Sequence, residues 1–431
     1  MLQANLYMIG INETKVPKYI LVLVYGYLFI YYTRIQDNIP GLAAVPWVGV
    51  WFLIVTLWGL SQLRKEHFSS PIAVIFWLGV LFCLTGFGAI SPASFKMAFK
   101  WIFQVFPQCV ALYVVFSKRD SVQNLLKLWV VIYFFMALFT IKNTPYGAGD
   151  FTRDPNDACL ALAMGIPYVA YSSLLSGLNW KWKRFCHITL VLLFVGVVMT
   201  SSRGGFLGML AGLGAMWWLS GKRLKIAMAA LLGGIVIGSV VLSVLPEGYL
   251  ADMESINDTE DETRLERIHT WEIGWEMFKD KPLLGVGAGN FSNTSHLYEA
   301  KTSWWTGFGR SLSGRAAHSL YFQVIPELGI FGIAVYVYFI FLLPLTLIGQ
   351  ARKLKYDNED ERLQKIFLNI ILASMAAYCA AGAFISVAYY PHLPMWITMY
   401  AIYRKISKEK VTKQDMEGEG EPSTSSQRRV N

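Results

Sequence analysis

The chain has 431 residues, 55% of them hydrophobic and only 16% charged, with a formal net charge of +9. Soluble domains carry about 25% charge, so a water-facing surface cannot be built from this composition, and soluble, disordered, collagenous and disulfide-scaffold classes are excluded. Cys83, Cys109, Cys159, Cys186 and Cys379 lie in or beside apolar runs without a CxxC pair; they read as small core residues.

Twelve apolar runs follow in chain order, at 17–33, 42–63, 71–90, 99–116, 125–141, 158–176, 186–201, 204–220, 226–245, 319–349, 366–388 and 393–406. A spanning helix needs about 20 apolar residues, so the pattern predicts an all-α polytopic membrane protein of about 12 transmembrane helices. The run at 319–349 is long enough for a tilted helix with an extension. Glu13, Lys15 and Lys18 precede the first run and no small-residue cleavage site follows it, so that helix is expected to be retained. Residues 1–157 form N-terminal membrane helices, 158–350 a core that includes a loop at 246–318, and 351–406 C-terminal membrane helices. The polar stretch 407–431 is expected to be a disordered tail.

Cations set the orientation. One alternating set of segments, with the C-terminal tail, holds 25 of the 38 Lys and Arg residues, and the other set holds 13. The first set is predicted to be cytoplasmic, with both termini inside. The net positive balance therefore concerns topology and implies no nucleic acid. The large loop at 246–318 falls outside and carries seven cations against twelve acids, so its arginines are specific features and not a diffuse basic patch.

Within that loop, Thr263 to Lys279 has helix character. Leu265, Ile268, Trp271, Trp275 and Phe278 recur at three- and four-residue steps and predict an amphipathic helix lying on the membrane surface or on the spans. Thr259 with Glu262 forms a capping-box pattern upstream, and Pro282 stops the helix. Arg267 shares an edge with Trp271, and Arg264 sits one turn earlier. Gly285, Gly287 and Gly289 lack the spacing and βαβ context of a dinucleotide fingerprint, which leaves a tight turn or a direct ligand cradle.

Two residues stand at the outer ends of spans. Arg203 lies in TSSRGGFLG, where small neighbours permit close approach of chain or ligand; the alternative is snorkelling to headgroups. His318 lies in GRAAHSLYFQV, where it serves either as a proton acceptor or as a hydrogen-bonded interfacial residue. In Asp154-Pro155-Asn156-Asp157, helix capping by Asn156 or Asp157 competes with cation holding. The six histidines show no metal spacing.

The order SSRGGFLG, RIHTWEIGWEMFKDKPLLGVGAGNF, AHSLYFQVIPELGIFG resembles the O-antigen ligase and Wzy-type polymerase superfamily over about 155–350. DPNDACLALAMGIP and AHSLYFQV resemble a subgroup of O-glycosylation ligases associated with exosortase systems. The resemblance implies a glycosyltransferase C-type membrane fold in a bacterial inner membrane, with its large loop and active site facing the periplasm. It implies transfer of a glycan from undecaprenyl pyrophosphate to an acceptor hydroxyl on lipid A core or protein, with no cofactor or metal. Carried over by motif, the catalytic residues are Arg203, Arg267 and His318. Arg264, Arg315 and Trp271 are candidate substrate-binding neighbours. A Wzy-type polymerase would use the same site with another lipid-linked glycan as acceptor. A twelve-helix transporter or flippase remains as a non-enzyme reading from span count alone.

Overall fold

A computed structural model describes residues 16–220, 262–302, 311–355 and 358–418. Among these, every regular element is helical. In chain order the principal helices are α1 (Lys18–Thr33), α2 (Trp47–Ser61), α3 (Ala73–Gly86), α4 (Ala93–Phe116), α5 (Arg119–Lys142), α6 (Pro155–Ser172), α7 (Trp180–Met199), α8 (Arg203–Leu219), α9 (Glu262–Asp280), α10 (Leu320–Lys353), α11 (Glu359–Gly382) and α12 (His392–Gly418). Among the described residues, α4, α5, α7, α10 and α11 are long and apolar enough to cross a membrane, taking α5 from Asp120. The run at 226–245 and the Thr259 capping box lie outside the described residues. The last helix continues to Gly418, past the Ile406 edge of its apolar run.

Small residues set the central packing. Helix α8 lies against α11 and α6, and α6 also packs on α7 and α11. A Cβ on Gly208 would stand 2.8 Å from the Ala377 carbonyl oxygen, and one on Gly205 would stand 2.3 Å from the Cys159 sulfur. Such close backbone approach is how apolar helices gain packing contacts in lipid, where burial from water contributes little.

The long run at 319–349 is not one tilted helix. Pro326 removes a backbone donor, and Gly329 leaves helical geometry at φ 61°, ψ −154°. The glycine-rich segment after α9 fills the break. Val286 N–H donates to the Pro326 carbonyl (2.8 Å), Gly287 N–H to the Glu327 carbonyl (3.0 Å), and Ile330 N–H to the Pro282 carbonyl (2.9 Å). A Cβ on Gly285 would meet the Pro326 oxygen at 2.4 Å. The glycine run is thus the tight turn of the two readings, and what it cradles is a side chain of this same protein. The buried Glu327 carboxylate accepts from Gly289 N–H (2.9 Å), Phe291 N–H (2.8 Å) and Tyr389 O–H (2.5 Å).

Glu327→Ala would strand three donors, of which the buried Phe291 N–H alone costs roughly 1–3 kcal/mol when left unpaired. We expect a clear fall in unfolding temperature in detergent, and a smaller one for Glu327→Gln, which keeps one acceptor oxygen. Equal stability of wild type and Glu327→Ala would contradict this anchoring of the glycine-rich segment by Glu327.

Candidate functional site

Helices α8 and α10 begin at the same end of the bundle, around the turn that closes α11. Gly204 in α8 packs against Phe384, and Leu320 in α10 lies against Gly382. Each helix is capped by a serine: Ser202 Oγ accepts from Gly205 N–H (3.1 Å) and Ser319 Oγ from Phe322 N–H (3.4 Å). The residue before each cap, Ser201 (φ 53°) and His318 (φ 47°), is left-handed. Such a backbone is uncommon outside glycine, and His is among the residues that adopt it most readily. Helix α6 starts here too. Its cap is Asp154, whose Oδ1 accepts from Asn156 N–H at 2.8 Å. This corrects the expectation of a cap at Asn156 or Asp157, because Pro155 occupies the first helical position, where a missing N–H is harmless. Asn156 instead accepts from Ser202 Oγ (2.7 Å), and Asp157 from Tyr390 O–H (2.7 Å). The starts of α6 and α8 are thereby tied together.

Helix α9 lies on α10, resting on the spans as one of the two expected placements. Its buried face differs from the predicted stripe. Thr270, Ile273, Gly274 and Met277 are buried, whereas Ile268 and Trp275 are exposed. Gly274 sits at the centre of the contact: a Cβ there would lie 3.1 Å from the Phe291 ring, a tight approach, and in ordinary contact with the Phe322 carbonyl oxygen and Pro326. The helix seats its smallest residue against its neighbour, and the apolar stripe rotates partly outward.

That seating sets the cations. Half-buried Arg267 holds its guanidinium carbon 6.0 Å from the Phe384 ring centre. Phe384 therefore links Arg267 to the start of α8, where Arg203 is half-buried. Trp271 stacks on Phe322 at 5.0 Å and 3°, and its indole N–H donates to the Ala317 carbonyl at 2.9 Å. One face and the donor of this ring are thus committed to fixing the residue before His318. Exposed Arg315 pairs with Glu266 at 2.8 Å. Arg264 is exposed one turn before Arg267.

His318 is exposed by surface area, yet protein groups surround it closely enough to desolvate its ring in part. Partial burial, then the Arg267 guanidinium and Arg315, push its pKa below the ordinary value near 6.5, while Asp154 and Glu266 oppose the shift. These groups act on one imidazole from α9, the 311–319 loop and the start of α6. Sequence reasoning missed Phe384 and Glu266 as participants and weighed Asp154 only as a possible cation ligand. The DPND spacing was the available signal for Asp154; nothing local marks Phe384.

Beside this region, an aromatic cavity with about 590 Å³ of empty space, counting its open mouth, lies between α1, α2, α4 and the 389–395 segment. Tyr27, Tyr31, Phe52 and Trp101 line it, with Lys100 and Tyr389.

The fold is that of a multi-pass membrane protein in which Arg267 and Arg315 act on His318, while Arg203 opens α8, connected to Arg267 through Phe384 and Gly204. Residues 188–337 match the family model Wzy_C, O-antigen ligase. The chain carries a domain of the O-antigen ligase and Wzy-type superfamily, a family of membrane glycan ligase and polymerase enzymes. No curated protein matches the chain.

Proposed function

We propose that this protein is a membrane glycan ligase that moves a glycan from undecaprenyl pyrophosphate to an acceptor hydroxyl on lipid A core or protein, at the periplasmic face of a bacterial inner membrane. The observation that carries the reading is the convergence of Arg267, Arg315 and Asp154 on His318, at the capped ends of α6 and α10. Helix N-termini favour anions. Arg203 and Arg267 hold the pyrophosphate as its bond to the sugar breaks, since guanidinium stays charged and forms paired hydrogen bonds with phosphate oxygens. The neutral ring of His318 takes the proton of the attacking hydroxyl. In direct displacement, attack opposite the pyrophosphate inverts the anomeric centre. The aromatic cavity beside Tyr389 is the candidate groove for the polyprenyl chain. The O-antigen ligase domain favours an enzyme over a transporter.

The test is transfer by the purified full-length chain, given lipid-linked glycan and each acceptor. Glycan on lipid A core or protein supports the ligase; longer lipid-linked chains would make it a polymerase; flux without a covalent product would make it a transporter.

A pH profile adds a second check. Because the pKa of His318 lies below its ordinary value near 6.5, the acid limb of kcat/KM, where the ring becomes protonated, lies below pH 6.5. An acid limb centred at or above pH 6.5 would count against His318 as the base.

A further inference from the structure

The opposite end of the bundle carries a cationic pocket, separate from the proposed transfer site. It is formed where α8 and α10 end and α11 completes its early turns. Trp218, Leu219, Ala351, Arg352, Lys365 and Asn369 line this cavity of about 100 Å³. A water needs roughly 10–15 Å³, so the space admits several, which is the room that phosphate oxygens require.

Both cations are held in place by the fold. The Arg352 guanidinium carbon sits 5.1 Å from the Trp218 ring centre, a cation–π arrangement. Lys365 Nζ donates to the Leu354 carbonyl at 2.8 Å, where α10 ends. Among the described residues, no carboxylate lies within ion-pair distance of Arg352. The acidic first turn of α11, Glu359 to Glu361, precedes Lys365 on the same helix, and Glu361 also accepts from Lys355 N–H at 3.0 Å. Buried Asn369 supplies an amide to the pocket wall.

The depth of the pocket follows from its aromatics. Trp217 and Trp218 are exposed at 43% and 39%, at the end of an apolar helix, as tryptophans are at headgroup level. The distribution of Lys and Arg assigns this end to the cytoplasmic side. Basic pockets between helices on that side suit phosphate headgroups.

We propose that this pocket binds the phosphate of an anionic membrane phospholipid of the inner leaflet. Arg352 and Lys365 contact the phosphate oxygens, and Trp218 packs beside the glycerol.

The full-length chain in detergent, titrated with dioleoyl phosphatidylglycerol, dioleoyl phosphatidylcholine or inorganic phosphate, tests this by native mass spectrometry and thermal unfolding. Retention of phosphatidylglycerol over phosphatidylcholine, with a rise in unfolding temperature, is the expected result. A surface cation is worth about fivefold in affinity for an anionic headgroup, so Arg352→Gln should weaken retention by about that factor and Arg352→Gln with Lys365→Gln by about twenty-five. Lys365→Gln also removes the bond to Leu354, so the exposed Arg352 carries the test if the double variant fails to fold. Equal retention of the two lipids, or unchanged phosphatidylglycerol retention in Arg352→Gln, overturns the proposal. Stabilisation by inorganic phosphate without lipid retention also overturns it and assigns the pocket to a free anion.

Discussion

His318→Asn is expected to lower glycan transfer by roughly 10²–10⁴, the usual contribution of a positioned general base. Asparagine is the informative replacement. The backbone of residue 318 is left-handed at φ 47°, which asparagine tolerates and alanine does not, so a loss in His318→Asn cannot be blamed on the turn. The residue is exposed, so little core packing is removed, and the unfolding temperature should stay close to wild type. The surrounding anchors are untouched: Trp271 still donates to Ala317, and Ser319 still caps α10. Transfer measured with purified chain, lipid-linked glycan and acceptor decides the point. Full activity in the asparagine variant would remove His318 from the chemistry and leave it as an interfacial residue.

The apolar runs were legible because an apolar helix is a local property of length and hydropathy: most of the predicted runs coincide with described helices, and five of those helices are long and apolar enough to cross a membrane. The α9 helix and its stop at Pro282 were legible for the same reason. What the sequence hid was non-local. The buried face of α9 brings Gly274 against Phe291, Phe322 and Pro326, and a stripe drawn from hydrophobicity alone favours the large side chains. The break at Gly329 depends on carbonyls that Pro326 and Glu327 offer to Val286 and Gly287, about forty residues earlier in the chain. A glycine run and a Pro-Glu-Leu-Gly run each look like punctuation; only their pairing shows that one closes the other. At the site, Arg203, Arg267 and His318 were marked by motif resemblance. Phe384, which bridges Arg267 to Gly204, is an ordinary aromatic in an apolar stretch.

Arg267→Gln should reduce transfer by about 10²–10³, the scale seen when one preorganised group facing developing charge is removed. Arg267→Lys should recover only part of this, because an ammonium on a flexible stem lacks the planar fork that meets two phosphate oxygens together. The same substitution makes a second, independent demand. The Arg267 guanidinium helps hold the His318 pKa down; a neutral glutamine removes that repulsion of the protonated ring, so the pKa rises. The acid limb of the kcat/KM profile must then move to higher pH in Arg267→Gln and remain near its wild-type position in Arg267→Lys. Arg315→Gln is the internal comparison. Its side chain is exposed and paired with Glu266, and it ranks below Arg267 among the cations acting on His318, so both the rate loss and the limb shift should be smaller. A rate loss in Arg267→Gln with an unmoved acid limb would mean that the arginine supports the loop without sharing an electrostatic site with the histidine. Loss and shift together are what a guanidinium poised between a leaving pyrophosphate and a neutral imidazole requires.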